Sequence, residues 1–500
     1  MSSGTNSERI LRNNNLLATI KTQIDNLPES STELNVFIQT TEPSTYNGLW
    51  VKTNNITQET IIEVSSESNK AANSLNILKG NNYSTILIPS SIVNGATYKF
   101  DGVLLTDTNN NVDYSTQIYY GDGSQWVDIT PVSTSYMGVT VDYVNKTYTK
   151  INGNASGDVN NLKCYKNRVR CNLQDDGTVT AYYGDSNYDN IGNENLQVMV
   201  EQPVVYYSLQ NVELDGNNIT KADYLIADGP MEGFEVHPAF TMTDGTSIND
   251  KIYINAYEAT LSNDKLSSIA GSTPYVNATR ATFRTKAQNR GSNWTQLLIQ
   301  VNELEKLMQL IEYQSLNMQS VLAKGVTSSP AAVSVGSTYT LDSNGTGCAS
   351  NLMPSTNSEA FTWRYRENTY GNVYKWNDAI NIISYVWYFR NNIVNLADNT
   401  SSGYTNPGIS ASSTSGWTTR FGYAQNAKWM FIPTTVSSTE SDSMCGDYYY
   451  QSSGNMGFLS GGSYWRNDSK AGAFNFDVHS SSSVDSPAIG GGLVYIPVVS

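Results

Sequence analysis

Near the start of the chain, apolar residues fall at Ile10, Leu17, Ile20, Ile24 and Leu27, a 3-4 alternation in which Asn13 takes the missing seam position. That spacing predicts a short helix with one apolar edge, and one polar layer in such a seam sets register in a coiled coil. Pro28 ends it, because its ring cannot continue the hydrogen-bond ladder. Residues 1–33 are thus expected to form a coiled coil for attachment or oligomerisation. A seam this short is marginal on its own, so a single amphipathic helix packed on its own domain stays open as the alternative.

From Leu34 the period drops to two. The runs NVFIQT, GLWVKT, TIIEVS, STILIPSS and ATYKFDGVLL are separated by Asn-Gly, Asn-Asn and Gly-Asp-Gly, so residues 34–136 read as a small β-domain. Residues 137–230 carry VTVDYVNKTYTKING, RVRCNLQDDGTVTAYYGD and LQVMVEQPVVYYSL and read as a β-rich connector, with Asp176-Gly177 as a hairpin turn. Helical spacing returns after Glu232, in TRATFRTKAQNRG, closed by Gly291, and in WTQLLIQVNELEKLMQLIEYQSLNMQSVLAKG, closed by Gly325. The second segment is too long for one typical helix and is expected to break. Its apolar faces need the short aromatic strands that follow, so residues 231–500 are expected to fold as one unit. The fold class is multidomain α+β.

Five hundred residues with 39% hydrophobic and only 15% charged side chains leave a surface made mostly of Asn, Ser, Thr, Gly and Tyr. The 33 tyrosines give large contact area for few rotatable bonds, which suits binding. A net charge of -15 supplies no basic field for a phosphate backbone and argues against a nucleic-acid partner. Met1 to Arg12 is polar, without the apolar run of a signal peptide, and no stretch is long enough to insert in a membrane, so synthesis in a cytoplasm is expected. Cys164, Cys171, Cys348 and Cys445 match neither a disulfide framework nor a zinc spacing, and read as reduced thiols.

Four blocks then occur in order: GFEVHPAF with DKIYINAYEATLS; Arg290-Gly291-Ser292-Asn293-Trp294 with LIEYQSLNMQSVLAKGV; WRYRENTYGNVYKWNDAINI; and GFLSGGSYWRNDSKAGAFNFDVHSSSSVDSPAIGGGLVYI. Together they resemble bacteriophage tail proteins with a C-terminal formylglycine-generating-enzyme-type C-type lectin fold, including the variable proteins of diversity-generating retroelements. Gly371 and Asn372 suit a turn with unusual backbone angles, Trp376 suits a core, and Gly461-Gly462 allows close backbone approach. The resemblance implies a C-type-lectin-like receptor-binding domain over residues 231–500, a homotrimer, and a place on the virion at the tail tip. Implied partners are a bacterial surface glycan or surface-layer protein and other tail or baseplate proteins.

In such folds the last strands and their loops face the ligand, here Tyr464 through Ser486. Within that segment Trp465, Gly472, Phe474 and Phe476 read as framework. The candidate ligand-binding residues are Tyr448, Tyr449, Tyr450, Tyr464, Arg466, Asn467, Asp468, Ser469, Asn475, Asp477, His479, Ser480 and Ser482. No catalytic role is expected: the enzymes of the superfamily use a pair of reactive cysteines, whereas Ile489-Gly490-Gly491-Gly492-Leu493 holds no Cys and Cys445 stands alone. The alternatives are a tail-associated glycan hydrolase and a structural baseplate subunit. No cofactor is expected. Glu440, Asp442 and Asp447 read as a solvated acidic loop or, alternatively, a structural calcium or sugar-binding loop, and His237 as a packed structural histidine.

Overall fold

The computed structural model describes residues 135–338, 341–350, 352–465 and 467–497, together with the backbone of strands between Val36 and Asp128. The predicted helix over residues 10–27 lies outside the described residues, as do the ATYKFDGVLL run and Arg466. The chain divides into two compact units, 1–133 and 134–500.

In the first unit, Val36–Gln39 pairs in parallel with Asn47–Lys52, which pairs antiparallel with Gln117–Asp122 and so leads to Trp126–Asp128. Thr60–Val64, Ser74–Lys79 and Asn82–Leu87 form a separate antiparallel sheet. These strands overlap the runs NVFIQT, GLWVKT, TIIEVS and STILIPSS.

The second unit joins segments that the sequence separates at 230/231. Gln197–Pro203 pairs antiparallel with Lys251–Asn255, and Asn218 of the strand Asn218–Ala227 pairs with Gly422. One apolar core runs from Met137 to Ile496. The physical reason is that Val198, Met199 and Val200 are all buried, on both faces of their strand, so residues 137–230 cannot cover themselves. No linker lies at the expected boundary: Asp228 N donates to Ser135 O (3.0 Å), and the Asp228 carboxylate accepts from Cys164 N (3.3 Å).

The unit is β-rich with few helices. Its largest sheet runs in the order Glu235–Val236, Tyr206–Asp215, Asn218–Ala227, Gly416–Gly422, Tyr448–Gln451, Phe476–Val478, Asn455–Ser460, Tyr374–Ile383, Val386–Phe389. A second sheet runs Val179–Tyr182, Val169–Leu173, Gln197–Pro203, Lys251–Asn255, Leu493–Tyr495, Trp294–Gln296. In the turn of its first hairpin, Gly177 takes φ +90° next to Asp176, as the Asp-Gly pair predicts.

The first predicted helix spans Arg280–Gln288, with the Thr279 hydroxyl accepting from Thr282 N. The second segment breaks, and it does so at both ends. Trp294–Gln296 is a strand rather than helix, because it completes the edge beside Leu493–Tyr495; Ile299–Tyr313 is helical; Gln314 turns left-handed (φ 50°) before the short helix Met318–Val321. Ile299–Tyr313 is buried nearly all round, as a helix in a protein centre must be. Its charges are therefore paired inside: Lys306 with Glu303 at 2.6 Å, and Glu305 with Arg168 and Arg366.

The block Glu367 to Trp376 shows what its residues are for. Gly371 (φ 75°) and Asn372 (φ 59°) both sit in the left-handed region, and Trp376 is fully buried. Buried Glu258 accepts from Asn368 and Asn372 and pairs with Lys375 at 2.8 Å. Gly461 and Gly462 are also left-handed. A Cβ on Gly462 would stand 2.5 Å from the Ala471 Cβ, so the chain can pass there only as glycine.

Candidate functional site

The strand Tyr448–Gln451 alternates sides, as period two requires. Tyr449 points inward and is fully buried, while Tyr448 and Tyr450 lie half-buried on the opposite face with their rings 4.6 Å apart. Neighbouring segments extend this pair into a row. On one side Trp417 meets Tyr448 edge to face at 5.3 Å, and on the other the His479 ring lies 6.0 Å from Tyr450. Lys470 Nζ lies 4.9 Å over the Tyr448 ring, a cation–π contact.

The row stands on a rigid base. Tyr449 and Tyr450 pair in parallel with Phe476 and Asp477. Beneath them Trp387 packs against Phe458 (4.9 Å), Phe476 (5.3 Å) and Tyr449 (6.4 Å). Rings fixed by sheet pairing and core packing lose little freedom on binding, which is what an adhesive face needs.

His479 ends the row, with its Nδ1 2.6 Å from Asp477 Oδ1. The hydrogen bond to Asp477 raises the imidazole above the ordinary histidine value of 6.5, against the opposing effect of burial. A raised folded-state value means that the contribution of the pair to stability is fully present below pH 6.5 and fades as pH rises through the folded value. In an NMR titration His479 should protonate with a midpoint above 6.5, and Asp477→Asn should bring the midpoint down; an unchanged midpoint would remove Asp477 as the cause.

The other sequence candidates divide into two groups. Asp468 and Ser469 are exposed, in the turn Asp468–Lys470. Ser480 is partly exposed, and its carbonyl accepts from Gly457 N. The second group is buried. Tyr464 packs with Val326 and Ala360, and Asn467 donates to the Tyr374 hydroxyl and accepts from Ser463 N (both 2.9 Å). Asn475 donates to the carbonyls of Tyr448 and Lys470, and Ser482 donates to Asn399 Oδ1. With Tyr449, these side chains hold the loops in shape instead of facing a ligand. Asp477 is buried too, yet reaches the surface through His479.

Trp465 reverses the sequence reading in the other direction. Read as framework, it is 61% exposed, in the loop that follows the positive-φ turn at Gly461-Gly462. Gly472, Phe474 and Phe476 are buried as framework. Lys470 and Trp417, neither among the candidate ligand-binding residues read from the sequence, both belong to the row.

The acidic run does not converge. Asp442 accepts from Ser437 Oγ (2.6 Å), Glu440 accepts from Ser469 Oγ (3.2 Å), and Asp447 is buried with Oδ2 accepting from Phe474 N (2.7 Å). Burial drives the Asp447 carboxyl well above the usual carboxylate range. Among the described residues no three His, Cys, Asp or Glu side chains are grouped to hold a metal. All four cysteines are buried as free thiols, and burial raises Cys445 to about 12. His237 is also buried, between Tyr207 and Trp429, with Nδ1 accepting from Ala239 N; burial lowers it to about 3.

Among solved structures the chain is similar to the Major Tropism Determinant U1 variant at 11% identity, with a TM-score of 0.25 over 86% of this chain and 82% of that one. It is similar to the P3c variant at 10% identity, with a TM-score of 0.24 over 93% of this chain and 99% of that one. No family model matches the chain, and no curated protein matches it.

Proposed function

We propose that this chain is a receptor-binding protein of a bacteriophage tail tip, which adheres to the host surface through a C-type-lectin-like region over residues 231–500. The observation that carries the reading is the row in which half-buried Tyr448 and Tyr450 and exposed His479, in the bend after Phe476–Val478, lie beside buried Trp417 over a packed base. Sugar faces and protein side chains both stack on such rings, and aromatic anchors supply most of the energy of adhesive interfaces. The four-block resemblance to phage tail proteins supports the same reading. The partner is a cell-wall glycan or a surface-layer protein, and residues 1–33 serve attachment to the tail in a homotrimer.

Adhesion here involves no bond cleavage. When the full chain is mixed with host cells and purified host glycan, it should bind the cells and release no new reducing ends. A glycan hydrolase would shorten the polymer, using two carboxylates across the scissile bond. A baseplate subunit without receptor contact would bind neither cells nor glycan, and either outcome would overturn the proposal.

A further inference from the structure

On the side of the ring row where Lys470 lies, the turn Asp468–Lys470 closes over the segment Asn317–Thr327 and leaves a cavity of about 310 Å³. Its walls include Asn317, Gln319, Lys324, Asn357, Glu440 and Asp468, and no aromatic or aliphatic side chain lines it. Small-molecule sites are usually lined by hydrophobic and aromatic side chains with a few polar groups, so a cavity lined by polar side chains, whose carbon stems and backbone still supply most of its wall, suits a hydrophilic ligand with a carbon skeleton.

The walls are tied to one another. Gln319 Nε2 donates to the carbonyls of Lys324 (2.9 Å) and Asp468 (3.0 Å), Asn357 Nδ2 donates to Asp468 Oδ1 (3.3 Å), and Asp468 N donates to Thr327 O (3.0 Å). Asn317 Oδ1 accepts from Ser320 N (3.1 Å), and Ser469 Oγ donates to Glu440 Oε2 (3.2 Å). These bonds use one end of each side chain. Among the described residues, Asn317 Nδ2 and Lys324 Nζ remain as donors without a protein partner, and Gln319 Oε1, Asn357 Oδ1, Glu440 Oε1 and Asp468 Oδ2 remain as acceptors. Among the described lining residues, the Lys324 ammonium faces the two carboxylates of Glu440 and Asp468, an excess of negative charge.

We propose that this cavity is a second binding site, for a polyhydroxylated ring carrying a free amino group, that is, a hexosamine. Hydroxyls both donate and accept, and so can satisfy amide donors and acceptors set around one ring. The amino group pairs with the Glu440 and Asp468 carboxylates, which sets the preference between charge types. A carboxylate-bearing sugar meets the excess negative charge and is disfavoured.

The test is saturation-transfer NMR on the full chain with glucosamine, N-acetylglucosamine and glucuronate as separate probes at neutral pH. Transfer should be strongest to glucosamine and weakest to glucuronate. Ser469→Phe fills the cavity from an exposed position, and Glu440→Gln with Asp468→Asn removes the excess charge. Each should weaken glucosamine binding about fivefold, the scale of a solvent-exposed ion pair, with the melting temperature unchanged. Absence of transfer to glucosamine, equal transfer to glucuronate, or undiminished binding by the Ser469→Phe protein would each overturn the proposal. The sugars are read without cells, so a failure here is distinct from a failure of adhesion through the ring row.

Discussion

Replacing Trp387 by Ala is expected to cost roughly 3–5 kcal/mol of stability, the range for removing a fully buried large aromatic side chain. Trp387 has no solvent exposure and contacts Phe458, Phe476 and Tyr449, which come from three different strands of the largest sheet. Its removal leaves a hole that strands fixed by their own pairing cannot close, so the cavity cost adds to the lost burial. The same layer holds Tyr448 and Tyr450 in place from below, and host-cell binding should weaken along with stability. Calorimetry of the full chain should show a lower melting temperature for the transition of residues 134–500. A loss below about 1 kcal/mol, the cost of a tolerated volume-conserving swap rather than a cavity, would mean that Trp387 is not the base of the site.

The sequence was most legible where one residue type answers one local demand. Gly371-Asn372, Gly461-Gly462 and Asp176-Gly177 stand where the backbone turns left-handed or another segment passes too close for a Cβ. The helix Arg280–Gln288 could be read from its own spacing, whereas Tyr449, which the sequence groups with Tyr448 and Tyr450 as ligand-facing, lies on the buried side of their strand. What could not be read depends on partners distant in the chain. Trp294–Gln296 reads as the start of the helical segment and is instead a strand, because Leu493–Tyr495 offers it an edge. The boundary drawn at 230/231 fails for the same reason, since Gln197–Pro203 finds its second neighbour at Lys251–Asn255.

Polar side chains in the candidate site were the hardest to place. Asn467, Asn475 and Ser482 have the composition of a binding surface, yet their short side chains are spent on backbone and side-chain partners inside the loops. Nothing local distinguishes an Asn that holds a loop from one that faces a ligand, because both need the same donor and acceptor. The exposed Trp465 is the converse case. Its apolar type suits a core, yet it stands exposed directly after buried Tyr464, a difference between neighbours that residue type does not encode.

Tyr448→Ala with Tyr450→Ala is expected to remove host-cell adhesion while leaving the fold in place. Both rings stand on the outer face of their strand, and their partners in the row, Trp417 and His479, are held by other segments. The double substitution therefore takes away the centre of the row and leaves the Trp387 layer intact, so its melting temperature should fall far less than that of Trp387→Ala. Aromatic anchors at the centre of an interface are each worth about 2 kcal/mol or more, and because such losses are not additive the pair is expected to cost at least about 3 kcal/mol, roughly 100-fold in affinity. The decisive measurement is the binding isotherm of the fluorescently labelled full chain on intact host cells, for the parent and the double variant side by side. The account predicts saturable binding by the parent and a loss of at least about 100-fold for the variant; a variant that binds with the affinity of the parent would contradict it.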